Sequence, residues 1–182
     1  KSIKSSPRAK PDPKEREMND FPNESFRIRP AAPEDVPALL AMVRELAEFE
    51  HLSHQVVATE ADYRESLFGE RPAAEALIAE AGGEVVGYAI FFATFSTFLG
   101  RAGVWLEDLY VRPPHRGRGF GKALLKSVGA IARERGAGRY EWSVLDWNQK
   151  AIDLYERVGG EILREWRIVR LDRERLRDLS ER

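Results

Sequence analysis

Residues 104–125 read VWLEDLYVRPPHRGRGFGKALL, and this stretch decides the fold class of the chain. Its first eight residues form a run that predicts a β-strand. A glycine-rich turn follows at residues 116–121, and residues 122–125 are typical of the start of a helix. Glycine lets a backbone approach a ligand closely, and the free N–H groups of a first helical turn point towards an anion. The stretch therefore predicts a cradle for a phosphate-bearing ligand.

The composition indicates one globular domain. The chain has 182 residues, of which 43% are hydrophobic and 32% are charged, so a sizeable core can form. Its 29 basic and 30 acidic residues give a net charge of −1, which argues against a nucleic-acid binder. The longest nearly apolar run, residues 85–95, is too short to span a bilayer, so we expect no membrane partner. We therefore expect a cytoplasmic protein.

Metal and thiol chemistry find no support in the sequence. The absence of cysteine removes disulfides, a thiol nucleophile and cysteine metal ligands. His51 and His54 are not spaced as a helical metal pair, and His115 lies in a turn beside the glycine-rich segment. We therefore predict no metal.

The first 25 residues differ from the rest of the chain. Residues 1–25 are rich in Lys, Pro, Ser and Glu and show almost no apolar periodicity, so they cannot bury enough surface to fold. We predict a disordered N-terminal extension or an expression remnant there. The folded domain is predicted to comprise residues 26–182.

Residues from 26 onwards alternate between strand and helix patterns. The predicted order, β-α-α-β-β-β-α-β-α-β, describes one mixed α/β layered domain. Thr59, with Asp62 three residues later, predicts a capped helix start. The predicted strands are residues 26–29, 76–80, 84–94, 104–111, 140–145 and 165–171. The predicted helices are residues 33–50, 59–68, 119–135 and 148–158, with a terminal helix at 171–179.

The glycine spacing separates several kinds of phosphate loop. A dinucleotide fingerprint requires Gly-x-Gly-x-x-Gly, but the glycines here are Gly117, Gly119 and Gly121. A Walker loop requires Lys followed by Ser or Thr, whereas Lys122 precedes Ala123. The remaining pattern is Arg-x-x-Gly-x-Gly, which begins at residue 116.

This pattern resembles the pyrophosphate signature of the GCN5-related N-acetyltransferases (GNAT). Further resemblance comes from ELAEFE at residues 45–50, LEDLYV at 106–111, DWN at 146–148 and IDLYERVG at 152–159. Together these segments are similar to the spermidine/spermine (diamine) acetyltransferase branch, over about residues 26–171. The resemblance implies the GNAT fold, a single mixed central β-sheet flanked by helices, with acetyl-coenzyme A as co-substrate.

The resemblance also implies which residues hold the co-substrate. In relatives the strand that corresponds to residues 109–111 splays from its neighbour, and one of its backbone N–H groups polarises the thioester carbonyl. A solvated basic turn is an equal alternative for Arg118. The implied contacts are Leu109, Tyr110, Val111, Arg116, Gly117, Arg118, Gly119, Phe120, Gly121, Lys122, Asn148, Ala151 and Tyr155.

Two residues are predicted to be catalytic. By the resemblance Glu107 draws the proton from the amine, directly or through water. Strict alternation along a strand would place Glu107 on the same face as Leu109 and Asp108 on the other. Tyr155 is predicted to protonate the leaving thiolate, because a thiol has a pKa of about 8.5 and a phenol one of about 10. Considered alone, a helical tyrosine is more often a packing residue.

The implied acceptor is a primary amine on a small cationic molecule, such as spermidine or spermine. Glu45 and Glu48 could extend an acidic groove, although they also fit the wet face of the first helix. The predicted substrate contacts are Phe49, Glu50, Glu107, Asp108, Glu141, Trp142 and Ser143. Thialysine, other lysine-like amines and a protein lysine remain alternatives, as does an acetyl-coenzyme A-binding module with little turnover.

The resemblance also implies a homodimer that shares residues 165–171.

Overall fold

The computed structural model describes residues 26–181, so the predicted extension at residues 1–25 lies outside the described residues. The chain divides into two compact units between Ser143 and Val144. No helix in residues 26–181 is long and apolar enough to cross a membrane.

The first unit is built on a five-stranded mixed sheet. The strands are β1 (Phe26–Pro30), β2 (Glu75–Ala81), β3 (Glu84–Ser96), β4 (Arg101–Val111) and β5 (Tyr140–Trp142), and they lie in chain order. The first four pair antiparallel, and β5 runs parallel to β4. The mixed sheet predicted from the sequence is confirmed. The last strand is shorter than the predicted 140–145, because it pairs with β4 over three residues only.

Three α-helices belong to this unit: α1 (Val36–Phe49), α2 (Glu60–Phe68) and α3 (Phe120–Glu134). A 3₁₀ turn at Pro33–Asp35 precedes α1, where the sequence predicts continuous helix. The predicted cap of α2 is confirmed, since the N–H of Asp62 donates to Thr59 Oγ1 (3.3 Å) and the N–H of Thr59 donates to Asp62 Oδ2 (2.8 Å). The start of α2 therefore follows local hydrogen bonding.

The helices cover both faces of the sheet. On one face α1 and α2 pack against a buried cluster of Leu39, Met42, Leu67, Ala76, Ile78, Tyr88, Ile90 and Tyr110. On the other face α3 buries Phe120, Leu124, Leu125 and Val128. The guanidinium of Arg135, at the end of α3, lies 6.0 Å from the centre of the Phe91 ring on that second face. The sheet is thus the middle of three layers.

A β-bulge interrupts β4 at Glu107. The register pairs Phe91 with Leu106 and Ile90 with Asp108, so Glu107 is an extra residue without a partner of its own in β3. The prediction that strict alternation places Glu107 with Leu109 is therefore wrong, because the bulge restarts the alternation. Asp108 does lie on the face opposite Leu109, as predicted, and shares the α1–α2 face with Ile90.

The second unit contains two helices, α4 (Gln149–Arg157) and α5 (Arg173–Ser180). Both predicted helices are confirmed within two residues at each end. The predicted strand at 165–171 is wrong, because these residues join no sheet in the described part of the chain. The alternation of apolar residues there lacks a neighbouring strand edge, and a strand needs hydrogen-bonding partners to form.

Candidate active site

The glycine-rich turn joins the end of β4 to the start of α3. Gly117 (φ 75°) and Gly119 (φ 89°) adopt the left-handed conformation that favours glycine, and Gly119 caps the helix. A Cβ added at Gly117 would meet no atom within 4 Å, so the backbone is open on that side. The first N–H groups of α3 follow at once. This geometry suits the approach of a phosphate group to the backbone.

Arg116 ties the turn to its surroundings. Its Nε donates to the backbone oxygen of Val111 (2.8 Å). Its guanidinium lies 5.2 Å from the ring centre of Phe49, at the end of α1, and 5.3 Å from that of Tyr110. Arg116 therefore positions the turn through contacts with both α1 and β4.

Arg118 also has contacts within the turn. Its guanidinium lies 5.4 Å from the Phe120 ring centre, and its Nη1 lies 3.3 Å from His115 Nδ1. Arg118 is half-buried, unlike the side chain of a fully solvated basic turn.

The edge of β4 opens beside this turn. β5 pairs with β4 only at Val104, Trp105 and Leu106. Beyond the bulge, residues 107–111 have no strand partner on that edge among residues 26–181. Because N–H and C=O groups point alternately to the two edges of a strand, this segment can pair with an extended ligand. A splayed strand was predicted here from the resemblance.

The two adjacent carboxylates of β4 have different environments. Glu107 is exposed, and Trp105 Nε1–H donates to its Oε2 (2.9 Å). Asp108 is half-buried and accepts a hydrogen bond from the Tyr88 hydroxyl on its Oδ2 (3.2 Å). Burial raises the pKa of Asp108 to about 6, helped by the negative charges of Glu107 and Glu50, while the bond from Tyr88 opposes the rise. Asp108 is thus the carboxylate whose proton affinity suits transfer near neutral pH.

Asp108 belongs to a group of four side chains that we call the Asp108 cluster: Glu50, Tyr63, Tyr88 and Asp108. Burial raises the pKa of Glu50. Burial and the Asp108 charge raise the pKa of Tyr63 to about 12, and burial raises that of Tyr88 well above 10. Neither carboxylate forms an ion pair with another residue of 26–181. Two desolvated carboxylates that repel each other favour a bound cation.

Glu45, which was considered for the acidic groove, already forms an ion pair within the protein. Arg112 Nη2 lies 3.1 Å from its Oε1, and the Tyr110 hydroxyl donates to its Oε2 (3.2 Å). Glu45 and Glu48 line a depression of about 330 Å³ on α1, together with Ala41, Arg44, Ser53 and Val56. Through its contacts with Arg112 and Tyr110, Glu45 stabilises the end of β4 against α1.

Two of the three predicted contacts at residues 141–143 have partners close by in the chain. Arg139 Nε lies 2.6 Å from Glu141 Oε2, and the rings of Tyr140 and Trp142 are 4.8 Å apart. Glu141 and Trp142 are half-buried, and Ser143 is exposed. Their contact with a substrate stays a prediction.

The second unit holds the remaining predicted site residues. Asn148 caps α4, since the Ala151 N–H donates to Asn148 Oδ1 (3.3 Å). Tyr155 is the buried residue of α4. Its role as proton donor to the thiolate stays a prediction.

Local sequence patterns indicate some of these features and miss others. Tyr63 and Tyr88 were not predicted as site residues, because a tyrosine on a helix or strand is ordinarily a packing residue. In the sequence, the position of Tyr88 two residues before Ile90 indicates only that the two side chains lie on the same face of a strand. The bulge, which sets Asp108 opposite Ile90, has no signal in the sequence of β4.

The turn and the open strand edge together suit the phosphate and the extended arm of an acyl carrier, as an acyltransferase requires. Residues 40–160 match the family described as "Acetyltransferase (GNAT) family", which is more than half of the chain. The chain belongs to this family. The fold and the resemblance to the diamine acetyltransferase branch are confirmed.

Three known proteins illustrate the relationship. The chain is 43% identical over 169 residues to a thialysine N-epsilon-acetyltransferase of Mus musculus, covering 87% of this chain and 99% of the relative. It is 32% identical to the Homo sapiens spermidine/spermine N(1)-acetyltransferase-like protein 1, covering 85% of this chain and 24% of the relative. An integron cassette protein from V. cholerae has the same fold, with a TM-score of 0.72 and 23% identity over 87% of this chain and 99% of that protein.

Proposed function

We propose that this amine N-acetyltransferase transfers the acetyl group of acetyl-coenzyme A to the side-chain amine of a small lysine-like molecule. The Asp108 cluster carries the proposal, because its two carboxylates without ion-pair partners match one ammonium group. One of the three proteins above, 43% identical to this chain, bears the name of a thialysine acetyltransferase.

The first unit fits acetyl-coenzyme A at two places. The open backbone at Gly117, the left-handed Gly119 and the first N–H groups of α3 would hold the diphosphate. The edge of β4 at residues 107–111 would pair with the extended arm and direct an N–H towards the carbonyl. When bound, acetyl-coenzyme A supplies a reactive thioester.

The charges favour a molecule with one uncompensated ammonium group, on its side chain, over a polyamine. A polyamine carries several cations and needs a longer row of carboxylates. Glu45, the carboxylate that would extend the row along α1, is paired with Arg112. The remaining half-buried pair, Glu50 and Asp108, matches one cation. Spermidine or spermine is therefore the second candidate.

The proposal is tested by thiol release with a panel of amines. Purified protein and acetyl-coenzyme A are incubated with thialysine, lysine, ornithine, putrescine, spermidine or spermine, and each product is identified by mass. We expect a single acetyl group on the side-chain nitrogen of thialysine, with kcat/KM at least about tenfold above that for spermidine. Asp108→Asn should lose this activity, and Glu84→Gln, at the exposed first residue of β3, is the matched charge control.

Three outcomes would count against the proposal in different ways. Preference for polyamines would overturn the lysine-like substrate. Acetylation of protein lysines alone would overturn the small-molecule acceptor. Binding of acetyl-coenzyme A without thiol release from any amine would leave a binding module. The raised pKa of Asp108 argues against the last case, because binding alone does not require a tuned base.

We also propose that the protein is a homodimer formed through the second unit. Residues 165–171 expose Trp166 (72%) and Val169 (90%), with Ile168 between them. A row of large, exposed apolar side chains is suited to pairing with another chain. A second copy of the same chain would supply the strand partner that these residues lack among the described residues.

A further inference from the structure

The bulge at Glu107 determines which carboxylate of β4 reaches the α1–α2 face. Asp108 pairs with Ile90, and the next pair on the same face is Tyr88 with Tyr110. Tyr88 and Asp108 are therefore diagonal neighbours on adjacent strands, within reach of a long side chain. The phenol of Tyr88 and the carboxylate of Asp108 meet because of this register.

Tyr88 is built into the core at this point. Its side chain is 0% exposed, and its hydroxyl donates to Asp108 Oδ2 (3.2 Å). A buried phenol requires a hydrogen-bond acceptor, and Asp108 provides it. The bond orients the carboxylate and occupies Oδ2, so that Oδ1 is the oxygen suited to receive an N–H from an amine.

Four groups face the Asp108 carboxylate from the surrounding elements. They are Tyr88 from β3, Tyr63 from α2, Glu50 from the end of α1 and Glu107 from β4 itself. The charges of Glu50 and Glu107 disfavour ionised Asp108, whereas the Tyr88 hydroxyl favours it. Tyr88 thus keeps Asp108 ionised at neutral pH while its surroundings increase its proton affinity.

Glu107 has a different environment. It is exposed, and it accepts the Trp105 indole N–H. We therefore propose that Asp108, held by the positioning residue Tyr88, takes the proton from the substrate ammonium, and that Glu107 does not. This inference rests on the proposed function, because it requires an amine acceptor.

Bonds, protons and electron pairs balance in the proposed transfer. The ammonium N–H bond breaks and its proton passes to Asp108 Oδ1, which leaves a neutral amine. The nitrogen lone pair forms a C–N bond with the thioester carbonyl carbon, the C–S bond breaks, and the sulfur leaves with the electron pair. The nitrogen loses its second proton and the thiolate gains one, so one proton is released overall. An acceptor of pKa about 6 improves the equilibrium constant of the first transfer roughly a hundredfold over an ordinary aspartate, whose pKa is 3.8.

Direct titration tests the effect of the Tyr88 hydroxyl on the pKa of Asp108, and it requires no substrate. Protein labelled with ¹³C at the aspartate carboxyl carbons is titrated by NMR, and the Asp108 signal is identified by its loss in Asp108→Asn. We expect an Asp108 pKa of about 6 in the wild type. In Tyr88→Phe, which keeps the ring, we expect it about one pH unit higher because the carboxylate loses a donor. Tyr140→Phe on β5 is the control and should leave the signal unchanged.

The pH dependence of kcat/KM provides the second readout, measured with whichever amine reacts best. We expect its acid limb to move about one pH unit upwards in Tyr88→Phe and to persist in Glu107→Gln. Asp108→Asn should lower kcat at least about 100-fold. Thermal denaturation confirms that each variant is folded.

Two results would overturn the inference. One is an unchanged Asp108 titration and acid limb in folded Tyr88→Phe. The other is loss of the acid limb in Glu107→Gln while Asp108→Asn keeps it. A panel in which only polyamines react would overturn the lysine-like substrate but leave both readouts measurable, so the two proposals fail separately.

Discussion

Burial of the Asp108 carboxylate raises its pKa to about 6, above the ordinary value of 3.8. Ionisation of Asp108 therefore disfavours the folded state. Between pH 4 and 6 the folded protein holds a proton that the unfolded chain has lost, so this contribution to stability falls as the pH rises through that window. The same burial that prepares the carboxylate to accept a proton weakens the fold at neutral pH.

Asp108→Asn is accordingly expected to stabilise the protein while removing activity. Asparagine retains an acceptor for Tyr88 but carries no charge, so the gain at pH 7.5 should approach about 3 kcal/mol and vanish near pH 4. Urea denaturation of both proteins at several pH values measures this difference. The expectation would be contradicted if Asp108→Asn were less stable than the wild type by the same amount at pH 7.5 and at pH 4.

Gly117→Ala tests the open backbone of the turn. The left-handed conformation (φ 75°) would cost alanine about 1–2 kcal/mol, without a steric clash within the protein. The added methyl group would lie where a phosphate approaches, so KM for acetyl-coenzyme A should rise about tenfold. Gly83→Ala (φ 88°), in the β2–β3 turn, carries similar strain and open space and should leave KM unchanged. Equal effects of the two variants on KM would refute the phosphate cradle.

At the scale of elements, the bulge in β4 separates two regular ladders. Residues 101–106 pair with residues 91–96 of β3, and residues 108–111 pair with residues 87–90. Each of these two ladders keeps its own register. A bulge increases local twist and bends the strand. This bend accounts for the end of the β4–β5 pairing at Leu106.

Deletion of Glu107 should therefore join the two ladders without shifting either register. We expect a folded protein with a Tm within about 5 °C of the wild type. Because the strand edge would straighten and misplace the carbonyl-binding N–H, kcat/KM should fall at least about 100-fold. Glu107→Ala keeps the extra residue and is the control. A fully active deletion variant would show that the bulge does not shape the site.

Elements with local signals were predictable from the sequence. The Thr59 cap, the Gly82–Gly83 turn and the helix start at Gly119 depend on neighbouring residues, so their positions were predicted closely. Whether β5 and residues 165–171 form strands depends instead on whether a neighbouring strand edge is available for pairing. The pattern of residues 165–171 predicts a strand, but the described residues provide no edge for it.

At the scale of the whole molecule, residues 165–171 lead to a prediction about assembly. Light scattering at micromolar concentration should give twice the chain mass for the wild type. Trp166→Glu should give the chain mass, because the charge cannot be buried at an apolar interface. Phe98→Glu, at a side chain 96% exposed in the β3–β4 turn, is the matched control and should stay dimeric. A monomeric wild type would refute the dimer.

The sequence by itself determined the family, the order of most elements and the phosphate-binding turn, because glycine spacing, caps and apolar periodicity act over a few residues. The tertiary structure alone decided which carboxylate enters the buried cluster, since that depends on the bulge opposite Ile90 and on the register of β3 with β4. It also decided that Glu45 is neutralised and that Arg116 lies against Phe49. Charge and burial at these positions come from residues distant in sequence, so only the folded chain sets their chemistry.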